Sequence, residues 1–244
     1  MSYMQENPYQ SPEYARPAIL AAENERATFI QRTYIHLAGA IALFVAFEAA
    51  IFLLVPAAAL ESLMGMMLGG RWSWLVVMLG FMAVSWLAQT WANSDASRGM
   101  QYIGLLLYVV AQGVLFIPLL YIANRFAPGA IVASGLLTLV MFGGLTALVF
   151  VTGSDLTSWG KYLWCAGLAV LGVALGATLF GFTLGVWFAG AMVGLASAYI
   201  LYDTSNVLHR YRTEQYVAAS LALFASVALL FWYILQLVMS LNRR

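Results

Sequence analysis

Asp203 is the only aspartate inside any long apolar run of this 244-residue chain, and its neighbours are polar: Tyr202-Asp203-Thr204-Ser205-Asn206. On a helix, Asn206 at i+3 and Arg210 at i+7 share roughly its face. Hydrocarbon admits an ionisable side chain at a cost of about 2.5–3.5 kcal/mol on insertion scales, so such a residue is a functional candidate by default. The spacing leaves two readings open. Either Asp203 is tied to Arg210 or to neighbouring hydroxyls and fixes helix position, or it lines a wet path. Glu48, two turns before Pro56, is the second carboxylate deep in a run, with Gln112 or Gln236 as expected donors. It reads as a packing group or as part of a pore or proton path. His36, near the start of the first run, reads as interfacial.

The same inventory predicts no enzyme. A helical zinc protease needs His-Glu-x-x-His, and the two histidines, His36 and His209, lie in no such motif. An intramembrane aspartyl protease needs two carboxylates sharing a proton across helices, and Asp203 has no aspartate partner in a span. A rhomboid-type serine nucleophile, a lysine within a helix for retinal (Lys161 is in a loop) and a nucleotide loop are all missing. No cofactor is expected, and no metal ligands are assigned. Cys165 stands alone inside a run and reads as a small packing residue, so redox compartment is not legible from it.

Hydrophobic residues make up 63% of the chain and charged residues 9%, with a mean hydropathy of +0.86. A soluble domain carries about 25% charged residues. So few charges cannot cover a water-exposed surface, which makes this an all-α polytopic membrane protein whose first partner is the lipid bilayer. A net charge of +1 and the lack of a basic run argue against nucleic acid.

Seven runs are long enough to cross the hydrocarbon: Thr33–Val55, Trp72–Ala92, Gln101–Ala123, Ala130–Thr152, Tyr162–Phe180, Leu184–Leu208 and Tyr216–Ser240. Pro56, Gly69-Gly70, Asn93-Ser94-Asp95, Pro128-Gly129 and Gly153-Ser154-Asp155 punctuate them. Only Gly181–Thr183 divides the fifth from the sixth, which leaves one long broken helix open. Pro118 is expected to kink the third span. The expected organisation is a flexible arm over residues 1–30, with a short interfacial helix from about Ala18 to Gln31, and a seven-helix transmembrane domain over 31–244. Residues 1–30 lack an apolar signal sequence or organelle presequence, so an inner (plasma) membrane is expected. Arg16, Arg26, Arg32, Arg98, Lys161, Arg210 and Arg212 fall on one side, and Arg71, Arg125, Arg243 and Arg244 on the other. Seven against four favours a cytoplasmic N-terminus. Trp72, Trp74, Trp91, Trp159 and Trp164 lie near span ends, as interfacial anchors do. The pairs Gly172/Gly176 and Gly190/Gly194 predict close helix approach.

Several segments, in order, resemble the Bax inhibitor-1 (transmembrane Bax inhibitor motif) family in its bacterial form. They are Phe29-Ile30-Gln31-Arg32-Thr33-Tyr34, Tyr108-Val109-Val110-Ala111-Gln112-Gly113, and Thr138 with Phe142-Gly143-Gly144-Leu145. Thr152-Gly153-Ser154-Asp155-Leu156-Thr157, Ile200-Leu201-Tyr202-Asp203-Thr204 and His209-Arg210 complete the set, covering residues 27–244. The resemblance implies a seven-helix bundle with the last helix central. It also implies pH-sensitive calcium leak, suppression of stress-induced death and, among bacterial relatives, modulation of a membrane-bound ATP-dependent protease.

The family's proposed pH sensor is an aspartate on the sixth helix sharing a proton with one on the seventh, gated by an arginine. Two carboxylates so close cannot both ionise easily. Asp203 matches the first position. Leu221-Ala222-Leu223-Phe224-Ala225-Ser226 matches the second motif with Ser226 in place of its aspartate, and no Asp or Glu follows Glu214. The gating arginine has no clear counterpart in Trp91-Ala92-Asn93-Ser94-Asp95-Ala96-Ser97-Arg98. The resulting expectation is a calcium or proton leak pathway with altered pH gating, using Asp203, Ser226, Glu48 and Arg210. The alternative is a non-conducting module that binds a membrane protease, with the N-terminal arm as a candidate contact.

Overall fold

A computed structural model describes residues 17–94, 97–127 and 129–242, with Arg71 by its backbone alone. Eight α-helices follow in order among the described residues: α1 (Glu23–Leu54), α2 (Ala57–Leu68), α3 (Arg71–Ala92), α4 (Arg98–Phe126), α5 (Ala130–Thr152), α6 (Gly160–Phe180), α7 (Val186–His209) and α8 (Tyr216–Asn242). Every one except α2 belongs to a segment long and apolar enough to cross a membrane. Backbone groups in hydrocarbon must bond within their own segment, which is why runs of this composition resolve as helices.

The last helix is central. α8 packs against α1, α3, α4, α5 and α7, most extensively against α7, while α6 sits outside against α3 and α7. Aromatic side chains knit α8 to its neighbours. Phe116 of α4 stacks on Phe231 of α8 at 5.6 Å and meets Trp232 edge-on at 4.9 Å. Phe44 of α1 lies edge-on to both Phe116 and Phe224, at 5.1 and 6.1 Å. Such pairs add about 0.5–1.5 kcal/mol each beyond the area they bury. Outward-facing Val151, Leu53 and Trp187 are more than four-fifths exposed, a distribution that only a lipid surround makes favourable. Trp72 and Trp159, at the starts of α3 and α6, are exposed as interfacial anchors should be, and Trp187 joins them at the start of α7.

Several sequence expectations change. Residues 1–16 of the expected arm lie outside the described residues, as do Asp95, Pro128, Arg243 and Arg244. From Pro17 the chain is docked, not free. Ala18 is fully buried, its N–H donates to the Tyr211 carbonyl at 2.8 Å, and Pro17 bridges Arg212. α1 then starts at Glu23, eight residues before the expected domain boundary, because Phe29 and Thr33 continue the buried stripe of Leu37, Ala40 and Phe44. α2 has no counterpart among the expected elements. Leu60, Met64 and Met67, at i, i+4 and i+7, bury one face of it against Ile117, and Glu61 pairs with Arg125 at 3.2 Å.

Gly181, at φ 76°, ends α6, so the fifth and sixth runs are two helices. α4 continues through Pro118. The glycine pairs do not mark the tight approaches. A Cβ on Gly172 or Gly194 would meet open space, and on Gly176 or Gly190 only ordinary side-chain contact. Close approach occurs instead at Gly104, where a Cβ would lie 2.6 Å from Ala88 O and Ala92 N of α3. Cys165 faces outward and packs no core.

Candidate functional site

Asp203 points from α7 into the bundle and is buried. Ser226 of α8 donates its hydroxyl to Asp203 Oδ2 at 2.5 Å. The two positions matched to the family's acidic pair therefore meet, and the partner is a hydroxyl. α7 and α8 can bring them together because small and mid-sized side chains fill the seam around them: Ala196, Ile200, Ser220, Ala228 and Leu230 are all buried. Tyr108, Tyr199 and Tyr211 are close enough to Asp203 to feel its charge. Tyr211 lies beyond the end of α7, where burial first, then Asp203, pushes its hydroxyl above its ordinary value.

Ser226 also forms part of the wall of an open cavity of about 890 Å³ bordered by α3, α4, α6, α7 and α8. At one end stand Leu68 and Gly70 of the α2–α3 junction and Phe182 and Leu184 of the α6–α7 loop. Those segments share the face opposite Pro17. The other end is at Ser226, Tyr108 and Tyr199, just short of Asp203. The lining is chiefly apolar, with Gln112, Gln236 and Tyr233 as polar points between. The cavity stops at Ser226, whose bond to Asp203 forms its floor.

Arg210 does not reach Asp203. It caps α7 at φ −116°, is exposed, and donates to the Tyr202 hydroxyl at 3.5 Å. Seven residues are about 10 Å along a helix, beyond the reach of a side chain turned outward at the end of the helix. Of the two anchors the sequence left open for Asp203, the neighbouring hydroxyl is the one present. Asn206 is buried beside it, and its Oδ1 has no partner among the described residues. Glu48 lies elsewhere. It is buried near Gly113 and Phe47, both carboxyl oxygens lack a partner among the described residues, and neither Gln112 nor Gln236 donates to it. It is not part of the cavity wall.

Two features escape the sequence reading. Ser205, two residues after Asp203, accepts from Leu156 N–H at 2.7 Å and donates to the Ser154 carbonyl at 3.1 Å. It thereby latches the α5–α6 loop onto α7. In that loop Asp155 Oδ1 accepts from the Thr157 hydroxyl and N–H at 2.7 and 3.0 Å, which holds its carboxyl below the usual range. The only sequence signal for the latch is that the loop motif and the Asp203 motif both carry short hydroxyl side chains. The cavity has no sequence signal, because its walls come from five helices.

Residues 26–244 match the family model described as "Inhibitor of apoptosis-promoting Bax1". The chain is 26% identical to an uncharacterised Helicobacter pylori protein over 92% of this chain and 91% of that one. It is 30% identical to Bax inhibitor 1 of Schizosaccharomyces pombe, over 56% of this chain and 51% of the relative. Protein lifeguard 4 of Mus musculus is 32% identical over 45% and 46%. With the family model spanning nearly the whole chain and a seven-span helical bundle to match, the protein belongs to the Bax inhibitor-1 family of multi-pass membrane proteins.

Proposed function

We propose that the protein is a non-catalytic leak pathway for small cations, calcium or protons, in an inner (plasma) membrane with its N-terminus cytoplasmic. The single observation that carries this reading is the cavity that leads from the face opposite Pro17 to Ser226, whose hydroxyl bonds the buried Asp203. Passage requires a site attractive enough to enter and weak enough to leave. One carboxylate with a hydroxyl and nearby phenols suits that need better than the six to eight oxygens of a calcium-retaining site.

Opening requires the Ser226–Asp203 bond to part and the α7–α8 seam to loosen, so the closed arrangement conducts little. With Ser226 in place of a second acid, no like-charge repulsion forces the seam apart as pH rises, and gating by pH is shallow. Calcium entry into dye-loaded proteoliposomes tests the reading. Entry above that of protein-free vesicles is expected, and equal rates with and without the protein would end it.

A further inference from the structure

The face that carries Pro17 and the α7–α8 loop holds a second concavity of about 580 Å³, separate from the Asp203 cavity. Its wall gathers Arg32 and Glu25 of α1, Arg98 at the start of α4 and Glu214 of the α7–α8 loop, with Thr28 and Tyr216 between. Two guanidinium and two carboxylate groups make it neutral in sum. Among the described residues none of the four is in an ion pair, although opposite charges share the pocket.

Arg32 is held apart from the acids: its guanidinium lies over the Tyr216 ring at 5.7 Å. The backbone beneath it is braced in turn. His36 Nδ1 donates to the Arg32 carbonyl at 2.7 Å, and its Nε2 lies 2.9 Å from the Tyr102 hydroxyl. The His36 ring packs on Tyr216 at 5.0 Å. Both arginines line the same concavity although they come from different helices.

The pocket also sits at the edge of the apolar belt. One turn after Arg32 comes outward-facing Ile35, and Leu43 follows on α1. After Arg98, exposed Tyr102 and Leu106 continue along α4 at i+4 and i+8. A ligand with its polar end in the pocket can lay an apolar tail along that surface.

We propose that the pocket holds the headgroup of phosphatidylethanolamine, with the phosphate between Arg32 and Arg98 and the ammonium against Glu25 and Glu214. Guanidinium groups suit phosphate through paired N–H donors, and a primary ammonium offers three N–H donors to carboxylates. An anionic phosphatidylglycerol head leaves both acids without a cationic partner, and a choline head has no N–H to give them.

The test uses the full chain in detergent and reads the thermal midpoint with matched amounts of phosphatidylethanolamine, phosphatidylglycerol, phosphatidylcholine or soluble glycerophosphoethanolamine. The ethanolamine lipid should raise the midpoint several-fold more than the other two lipids. Arg32→Gln with Arg98→Gln should erase that difference, and Glu25→Gln with Glu214→Gln should turn the preference to phosphatidylglycerol. Equal shifts for all three lipids, or an ethanolamine preference kept in both double variants, would overturn the proposal. So would glycerophosphoethanolamine matching the lipid, since the ligand would then be a soluble phosphate. Should the arginine variant fail to fold, the glutamate variant decides alone: retained preference contradicts the site.

Discussion

Ser226 of α8 donates its hydroxyl to Asp203 of α7 at the inner end of the 890 Å³ cavity. The bond joins the two helices that pack most extensively in the bundle, at the floor of the cavity. A hydroxyl in this place supplies a donor without a second charge. The site therefore holds one acid whose titration is not split by a like partner.

Replacing Ser226 by Ala removes the donor and leaves a buried carboxyl oxygen unmatched. Loss of a partner from a buried polar group costs about 1–3 kcal/mol. Ser226→Ala should lower unfolding stability by that amount in detergent melts, whereas Ser226→Thr, which keeps the hydroxyl, should lose less. An alanine variant as stable as the parent would show that the bond contributes nothing.

Ser226→Asp has a different consequence. It places two carboxyls within hydrogen-bond distance, where both cannot ionise readily and one proton is shared. Calcium entry measured across pH should depend on pH more steeply in Ser226→Asp than in the parent. Unchanged steepness would separate the seam from gating.

The Ser205 latch predicts local rather than global effects. In Ser205→Ala the Leu156 N–H and Ser154 carbonyl lose their partner, and amide exchange should rise around residues 154–157 while the core of α8 stays protected. Asp155 adds a pH dependence of known sign. Its carboxyl is held below its ordinary value of 3.8 by Thr157, so its contribution is complete above that value and is lost as pH falls through the lowered one. Exchange near Thr157 should therefore be flat through neutral pH and rise only in strong acid.

Gly104 and Gly172 should respond in opposite directions to alanine. At Gly104 the added methyl collides with the α3 backbone, an overpacking cost of about 1–3 kcal/mol. At Gly172 it meets open space, and the helix gains about 1 kcal/mol from the better helix former. Melting curves of the two variants decide between close packing at α3–α4 and at α6.

Span existence was legible because each needs about 20 apolar residues, and the fourth run, Ala130–Thr152, coincides with α5. The short α2 was not, although its Leu60-x3-Met64-x2-Met67 stripe is helical, since twelve residues fall below a span and its partner Ile117 lies on another helix. Glycine spacing misled because a shared face does not say what faces it: the close contact needed only Gly104 against a backbone. Asp203 and Ser226 were identified by spacing and resemblance. Where Arg210 and Glu48 point was not, because helix termination at His209 and the packing of Glu48 by Phe47 and Gly113 are tertiary facts.

The most direct measurement is calcium entry into proteoliposomes carrying the parent or Asp203→Asn, reconstituted at equal density, beside protein-free vesicles. The substituted amide keeps the shape and an acceptor for Ser226 but removes the charge that attracts a cation. Entry above background is expected for the parent, with a fall toward background for Asp203→Asn. Parent and variant entering at the same rate, or the parent indistinguishable from empty vesicles, would contradict the leak pathway.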